Sequence, residues 1–147
     1  MVHFAPHMEA ALEISKEPPK ALVVEDERDL TTLIAYHLER HGIRTTTAAD
    51  GEIGLMLATR NEFDVIILDL MLPSVSGLEI SRQIHARKQP APPVVIVTAV
   101  SPEIVATIRE KLFAEEVIFK PFKPQDLVNC VTTLIRRQQE TASETNA

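Results

Sequence analysis

Short apolar runs alternate along this chain with stretches whose apolar residues recur at helical spacing. The runs fall at residues 21–24, 43–47, 65–68, 94–97 and 117–119. Three of them contain LVV, VIIL and VVIV, which are apolar throughout. Unbroken rather than alternating apolarity is the pattern of parallel strands covered on both faces. After the first run, Leu30, Leu33, Ile34, His37 and Leu38 fall at i, i+3, i+4, i+7 and i+8 and form one stripe. His41-Gly42 then supplies a stop. A second helix is predicted over 52–59, after Asp50-Gly51, and a third over 78–86, between the turn at 73–77 and the QPAPP loop. A fourth starts at Ser101-Pro102-Glu103, where Ser caps and Pro takes the first helical position. Ile104, Ile108 and Leu112 mark its inward face. The last begins at Pro124 and turns Leu127, Val131, Leu134 and Ile135 inward.

Five strands alternating with five helices predict an α/β fold around a mostly parallel sheet. Right-handed crossovers distribute the helices over both faces. The Thr-rich second strand and the short fifth are the expected edges, being less apolar than the other three. In such a sheet all strands end at one edge, so residues far apart in sequence meet there. The first run stops at Glu25-Asp26, the third at Asp69, the fourth at Thr98 and the fifth at Lys120-Pro121. Ligand sites of open α/β sheets form at that edge, near the point where strand order reverses.

Each of these residues has a plain structural explanation when taken alone. Asp26 would cap the first helix, Glu25 and Lys120 would be solvated, Asp69 would be a loop carboxylate and Thr98 a turn residue. Together they put three carboxylates, a hydroxyl and a cation at one edge, and that set suits a specific chemistry. Clustered carboxylates repel one another and invite a hard divalent cation, and Mg²⁺ completes its shell with waters and phosphate oxygens. A carboxylate can itself attack phosphorus to give an acyl phosphate. Phosphoryl transfer then depends on positioning and on neutralising the equatorial oxygens, a task for the metal and for Lys120. The Thr98 hydroxyl is placed to donate to a phosphoryl oxygen and so to sense it.

The stretches VVEDE, VIILDLMLPSVSGLEI, VVIVTAV and FKPF closely resemble the receiver domains of two-component response regulators, over about residues 20–137. The resemblance implies a doubly wound, flavodoxin-like sheet of five parallel strands in the order 2-1-3-4-5, flanked by five helices. It implies that Asp69 is the phosphoacceptor, that Thr98 is the switch hydroxyl and that Lys120 contacts the phosphate. Mg²⁺ would be held by Asp26, Asp69 and the backbone carbonyl of Met71, with Glu25 acting largely through water. The phosphodonor would be a histidine kinase or a histidine phosphotransfer protein. The face made by the fourth helix, fifth strand and fifth helix would contact a partner or form a homodimer. The Lys120-Pro121 bond is similar to one that is cis in the family. Two positions depart from the pattern: Val117 stands where an aromatic is usual, and Phe113 where a glycine is common. Met71 and Val100 occupy positions that tune phosphorylation and dephosphorylation rates in the family.

Composition narrows the remaining choices. The chain has 147 residues, 45% of them hydrophobic, enough for one domain with an ordinary core. With 15 basic and 21 acidic residues the net charge is -6, which argues against a large phosphate-backbone footprint and hence against direct nucleic-acid binding. One cysteine, Cys130, excludes an internal disulfide, and a reducing cytoplasm is the expected location. No apolar run approaches the ~18 residues of a membrane span, and the N-terminal stretch lacks the basic start of a secretory signal. The five histidines show no metal-binding spacing, and neither a nucleophile elbow nor a nucleotide-binding loop is present. The organisation expected is an N-terminal extension over 1–19, partly disordered or helical, a receiver domain over 20–137 and a disordered tail over 138–147. Two alternatives remain. One is a receiver-like interaction module that works without phosphorylation. The other is an aspartyl-nucleophile phosphatase of the haloacid-dehalogenase kind, which would carry a second Asp where this chain has Met71.

Overall fold

In the computed structural model, which describes residues 17–146 and side chains as far as Thr141, each predicted apolar run coincides with a strand, except that Ile43 stands just before its own. The elements are β1 (Lys20–Val24), α1 (Arg28–Arg40), β2 (Arg44–Ala48), α2 (Gly51–Arg60), β3 (Val65–Leu68), α3 (Gly77–Arg87), β4 (Val94–Thr98), α4 (Pro102–Ile108), β5 (Glu116–Phe119) and α5 (Pro124–Asn146), with a 3-10 turn Arg109–Lys111 between α4 and β5. The strands form one parallel sheet in the order β2-β1-β3-β4-β5, with β2 and β5 at the edges as expected.

Strand side chains point alternately to the two faces, and both faces are covered. Ala21, Val23, Val65, Ile67, Val95 and Val97 pack with Ile34 and Leu38 of α1 and with Leu127, Val131 and Leu134 of α5. Leu22, Val24, Ile66, Leu68, Val94 and Ile96 pack with Ala58 of α2, Ile80 and Ile84 of α3 and Val105 of α4. Double coverage explains why three strands read as unbroken apolar runs.

Register sets the functional edge. Val24 stands opposite both Ala48 and Leu68, so Glu25 and Asp69 leave neighbouring strands side by side. The Asp69 amide donates to the Val24 carbonyl at 3.1 Å, extending the ladder by one step. Two X-Pro bonds among the described residues are cis: Lys120-Pro121 after β5, as the resemblance implied, and Gln89-Pro90 between α3 and β4, which the sequence did not suggest.

Two expectations need correction. Leu33, placed in the apolar stripe of α1, is 41% exposed, because the stripe centres on Ile34 and Leu38 and Leu33 lies on its flank. Ile104 of α4 is 57% exposed, and Val105 is the buried residue instead. The α-helix ends after seven residues, and the 3-10 turn then re-aims the chain so that Leu112 is buried by another route. Helix α5 runs on to Asn146, through most of the segment set apart as a tail from 138. A helix already nucleated by core contacts at 127–135 propagates at little cost through a segment without Gly or Pro. The expected extension over 1–19 falls, for residues 1–16, outside the described residues.

Cys130 of α5 is half-buried and packs against the first core layer. Burial, with the nearby Glu116 carboxylate adding to it, pushes its thiol up to about 11 from an ordinary 9.0. Because the thiolate is the reactive form, alkylation at pH 8 is expected to run about a hundredfold slower than for an exposed thiol. Timed iodoacetamide labelling read by intact mass, with a Cys-containing peptide as reference, checks this.

Candidate functional site

The carboxyl edge of the sheet gathers the residues singled out in the sequence. Glu25 follows β1 and is 3% exposed; Asp69 follows β3 and is 5% exposed. Asp26 is exposed. Oxygen atoms of Glu25, Asp26 and Asp69 all lie within 4.8 Å of one another. Lys120 reaches in from the end of β5, its Nζ 2.7 Å from Glu25 Oε1 and 2.9 Å from Asp69 Oδ2. Glu27 Oε1 lies 3.9 Å from the same ammonium, at the rim.

Backbone amides complete the cradle. The Met71 amide donates to Asp69 Oδ1 at 3.1 Å, and the Glu27 amide to Glu25 Oε2 at 3.0 Å. Each buried carboxylate therefore has one oxygen on a backbone N–H and the other on Lys120. Thr98 closes β4 with no exposure, its hydroxyl accepting from the Val100 amide at 3.2 Å, while the Lys120 amide donates to the Thr98 carbonyl at 2.8 Å. Asp26 does not cap α1: the N-cap position is Glu27, and its side chain makes no capping bond.

The charges are strongly coupled. Burial raises the Glu25 pKa above the usual carboxylate value, and the hydrogen bond from Lys120 offsets only part of that rise. For Lys120, burial acts to lower the pKa, but the hydrogen bonds to Glu25 and Asp69 outweigh it and the net shift is upward. Lys120 is thus firmly cationic at neutral pH. Three carboxylates against one ammonium leave two negative charges in one hollow. A hard divalent cation with oxygen preference balances that charge, so the donor set fits Mg²⁺.

Comparison with known proteins points to one family. Residues 21–132 match the family model described as the response regulator receiver domain. The chain belongs to the response regulator receiver family. It is 37% identical over 120 residues to the alkaline phosphatase synthesis transcriptional regulatory protein PhoP of Bacillus subtilis, covering 82% of this chain and 50% of PhoP. The chain thus spans about half the length of the curated relatives it matches. Among solved structures, the Francisella response regulator 1452 receiver domain superposes with a TM-score of 0.75 at 30% identity, covering 82% of this chain and 98% of that one. The response regulator TrrA of Thermotoga maritima, solved in complex with Mg²⁺ and beryllium fluoride, gives 0.72 at 29% identity, covering 79% and 98%.

In this receiver of a two-component system, the two positions singled out against the resemblance, Val117 and Phe113, are both packed. Val117 is half-buried and packs against the α2–α4 core layer. Phe113 stacks on His85 of α3 with ring centroids 3.9 Å apart, and the Arg109 guanidinium fixes the turn by donating to the Leu112 and Ala114 carbonyls. Sequence reasoning missed Glu27 and the two backbone amides. The third acid of VVEDE was a visible signal for Glu27; the amides carry no signature in residue type.

Proposed function

We propose that this receiver takes a phosphoryl group onto Asp69 from the phosphohistidine of a histidine kinase or histidine phosphotransfer protein, and changes conformation to regulate a partner or output domain. The observation that carries this reading is the buried Asp69 carboxylate, held 2.9 Å from Lys120 and within 4.8 Å of two further carboxylates at the sheet edge. In the transfer, an Asp69 oxygen bonds to phosphorus as the bond to the imidazole nitrogen breaks. Attack of water on the same phosphorus later returns the carboxylate and releases inorganic phosphate. Mg²⁺ bound by Glu25, Asp26, Asp69 and the Met71 carbonyl would supply positive charge against the phosphoryl oxygens.

The protein's own groups divide the remaining work. Lys120, a cation already beside Asp69, turns from that carboxylate to the incoming phosphoryl oxygens. The Met71 amide holds Asp69 Oδ1 and so fixes the orientation of the nucleophile. Thr98 exchanges its contact with Val100 for one with the phosphoryl group, which couples the modification to the loop after β4. A phosphatase would need multiple turnovers and an acid where Met71 stands, and no observation favours it. A cytoplasmic location belongs to the same reading. A homodimer through α4, β5 and α5 does too; the β5–α5 part of that face carries acids and a base (Glu116, Asp126, Arg137) along one groove. Among the described residues no helix is long and apolar enough to cross a membrane.

The test is incubation of the chain with Mg²⁺ and acetyl phosphate, followed by intact mass and hydroxylamine treatment. One phosphoryl group per chain, released by hydroxylamine as an acyl phosphate and mapped to Asp69, is the expected result. A hydroxylamine-stable adduct, or none under conditions that label a known receiver, would defeat the proposal.

A further inference from the structure

The loop that carries the Met71 amide is fastened at its far end to α2, a helix that follows the edge strand β2 and no site strand. A helix leaves its first four N–H groups without intrahelical partners. In α2 the N-cap Asp50 satisfies the Ile53 amide with its side chain at 2.8 Å. The two amides before it go outside the helix. The Gly51 amide donates to the Pro73 carbonyl at 3.0 Å, and the Glu52 amide donates to Ser74 Oγ at 3.1 Å. Contact is close enough that a Cβ on residue 51 would stand 1.8 Å from the Val75 carbonyl oxygen.

Ser74 holds this contact at a conformational cost. Its φ is 69°, the left-handed region that non-glycine residues avoid. Glycine would relax that strain, but glycine has no side-chain oxygen to meet Glu52. Inside the loop, Val75 N donates to the Pro73 carbonyl and Gly77 N to the Leu70 carbonyl, so the segment from Leu70 to Gly77 is tied at several points. The geometry points to Ser74 and Gly51 as positioning residues of the acidic site: the α2 N-terminus braces the β3–α3 loop and thereby keeps the Met71 amide on the Asp69 carboxylate. The inference deepens the proposed phosphoacceptor reading and rests on it for the part that concerns cation binding.

Three substitutions of Ser74 separate bracing from mere stability. Ser74→Ala removes the acceptor and keeps the strain. Ser74→Gly removes the acceptor and relieves the strain. Ser74→Asn tolerates left-handed φ and offers a side-chain carbonyl to the Glu52 amide. Two quantities are read in the intact chain: hydrogen exchange of the Met71 amide without metal, and Mg²⁺ affinity by calorimetry. Both Ala and Gly variants are expected to speed Met71 exchange and weaken Mg²⁺ binding by about three- to tenfold, the scale of one lost hydrogen bond. Asn should restore both, and the Gly variant should do so little despite melting no lower than the wild type. Wild-type exchange and affinity in the Ala and Gly variants would overturn the brace, as would effects that follow melting temperature alone. Exchange of Met71 needs no cation, so its answer stands even if the acidic site proves to bind none.

Discussion

Asp69→Asn is expected to carry no phosphoryl group after incubation with Mg²⁺ and acetyl phosphate, under conditions that modify the wild-type chain. The substitution is nearly isosteric and keeps the oxygen that accepts from the Met71 amide. It removes the nucleophile, because an amide oxygen is a far weaker one than a carboxylate. It also turns one carboxylate contact of Lys120 into an amide, leaving the ammonium with Glu25 at 2.7 Å as its close buried partner. The fold should persist, since one charge is withdrawn from a hollow in which carboxylates outnumber cations. Asp26→Asn is the informative companion. Asp26 is an exposed carboxylate in the same cluster, so a second acceptor would be sought there first. Loss of labelling in the Asp69 variant, with slowed but detectable labelling in the Asp26 variant, assigns nucleophile and cation ligand separately. Wild-type labelling of Asp69→Asn, measured by intact mass, would remove Asp69 from the chemistry.

Most of the fold was legible because its cause acts locally and repeats. A strand buried on both faces must be apolar at every position, and LVV, VIIL and VVIV state this directly. The sheet order needed more than the strands themselves, since periodicity does not say which neighbour a strand takes; it came from the resemblance. Helix phase was less legible. Ile104 and Val105 are both branched aliphatics on a helix of only seven residues, and about two turns of pattern do not decide which one faces the sheet. The continuation of α5 past residue 137 has a different cause. Its polar composition describes a segment unable to build a core, but a helix begun in a core needs only propensity to continue.

The site followed the same division. Strand ends converge in any parallel sheet, so Glu25, Asp26, Asp69, Thr98 and Lys120 were recoverable from strand positions alone. The bonds among them were not. That Lys120 bridges Glu25 and Asp69, and that two backbone amides take the remaining oxygens, depends on loop paths that residue types do not encode. The bond from the Glu52 amide to Ser74 joins residues 22 apart at a helix terminus, a contact without any periodic trace.

Gly77→Ala is expected to lower stability by about 3 kcal/mol, at the upper end of the usual cost of overpacking. In a domain of this size that corresponds to about 10 °C of melting temperature. The reason is the path of the chain after β3. A Cβ on residue 77 would stand 2.2 Å from the Asp69 carbonyl oxygen and 2.9 Å from Leu70 Cα. Those are backbone atoms, so no rotamer change relieves the clash, and either the start of α3 or the loop after Asp69 must move. Gly77 N also donates to the Leu70 carbonyl at 3.0 Å, a bond that the same movement breaks. The damage is therefore directed at the segment that holds Asp69 and Met71. Two measurements on one preparation check this: thermal unfolding, and phosphoryl uptake well below the transition. If the displaced loop matters as argued, uptake falls even where the chain is fully folded. Wild-type uptake at low temperature with a lowered melting point would mean that Gly77 serves packing alone, and the wild-type melting point would mean that the close approach is not obligatory.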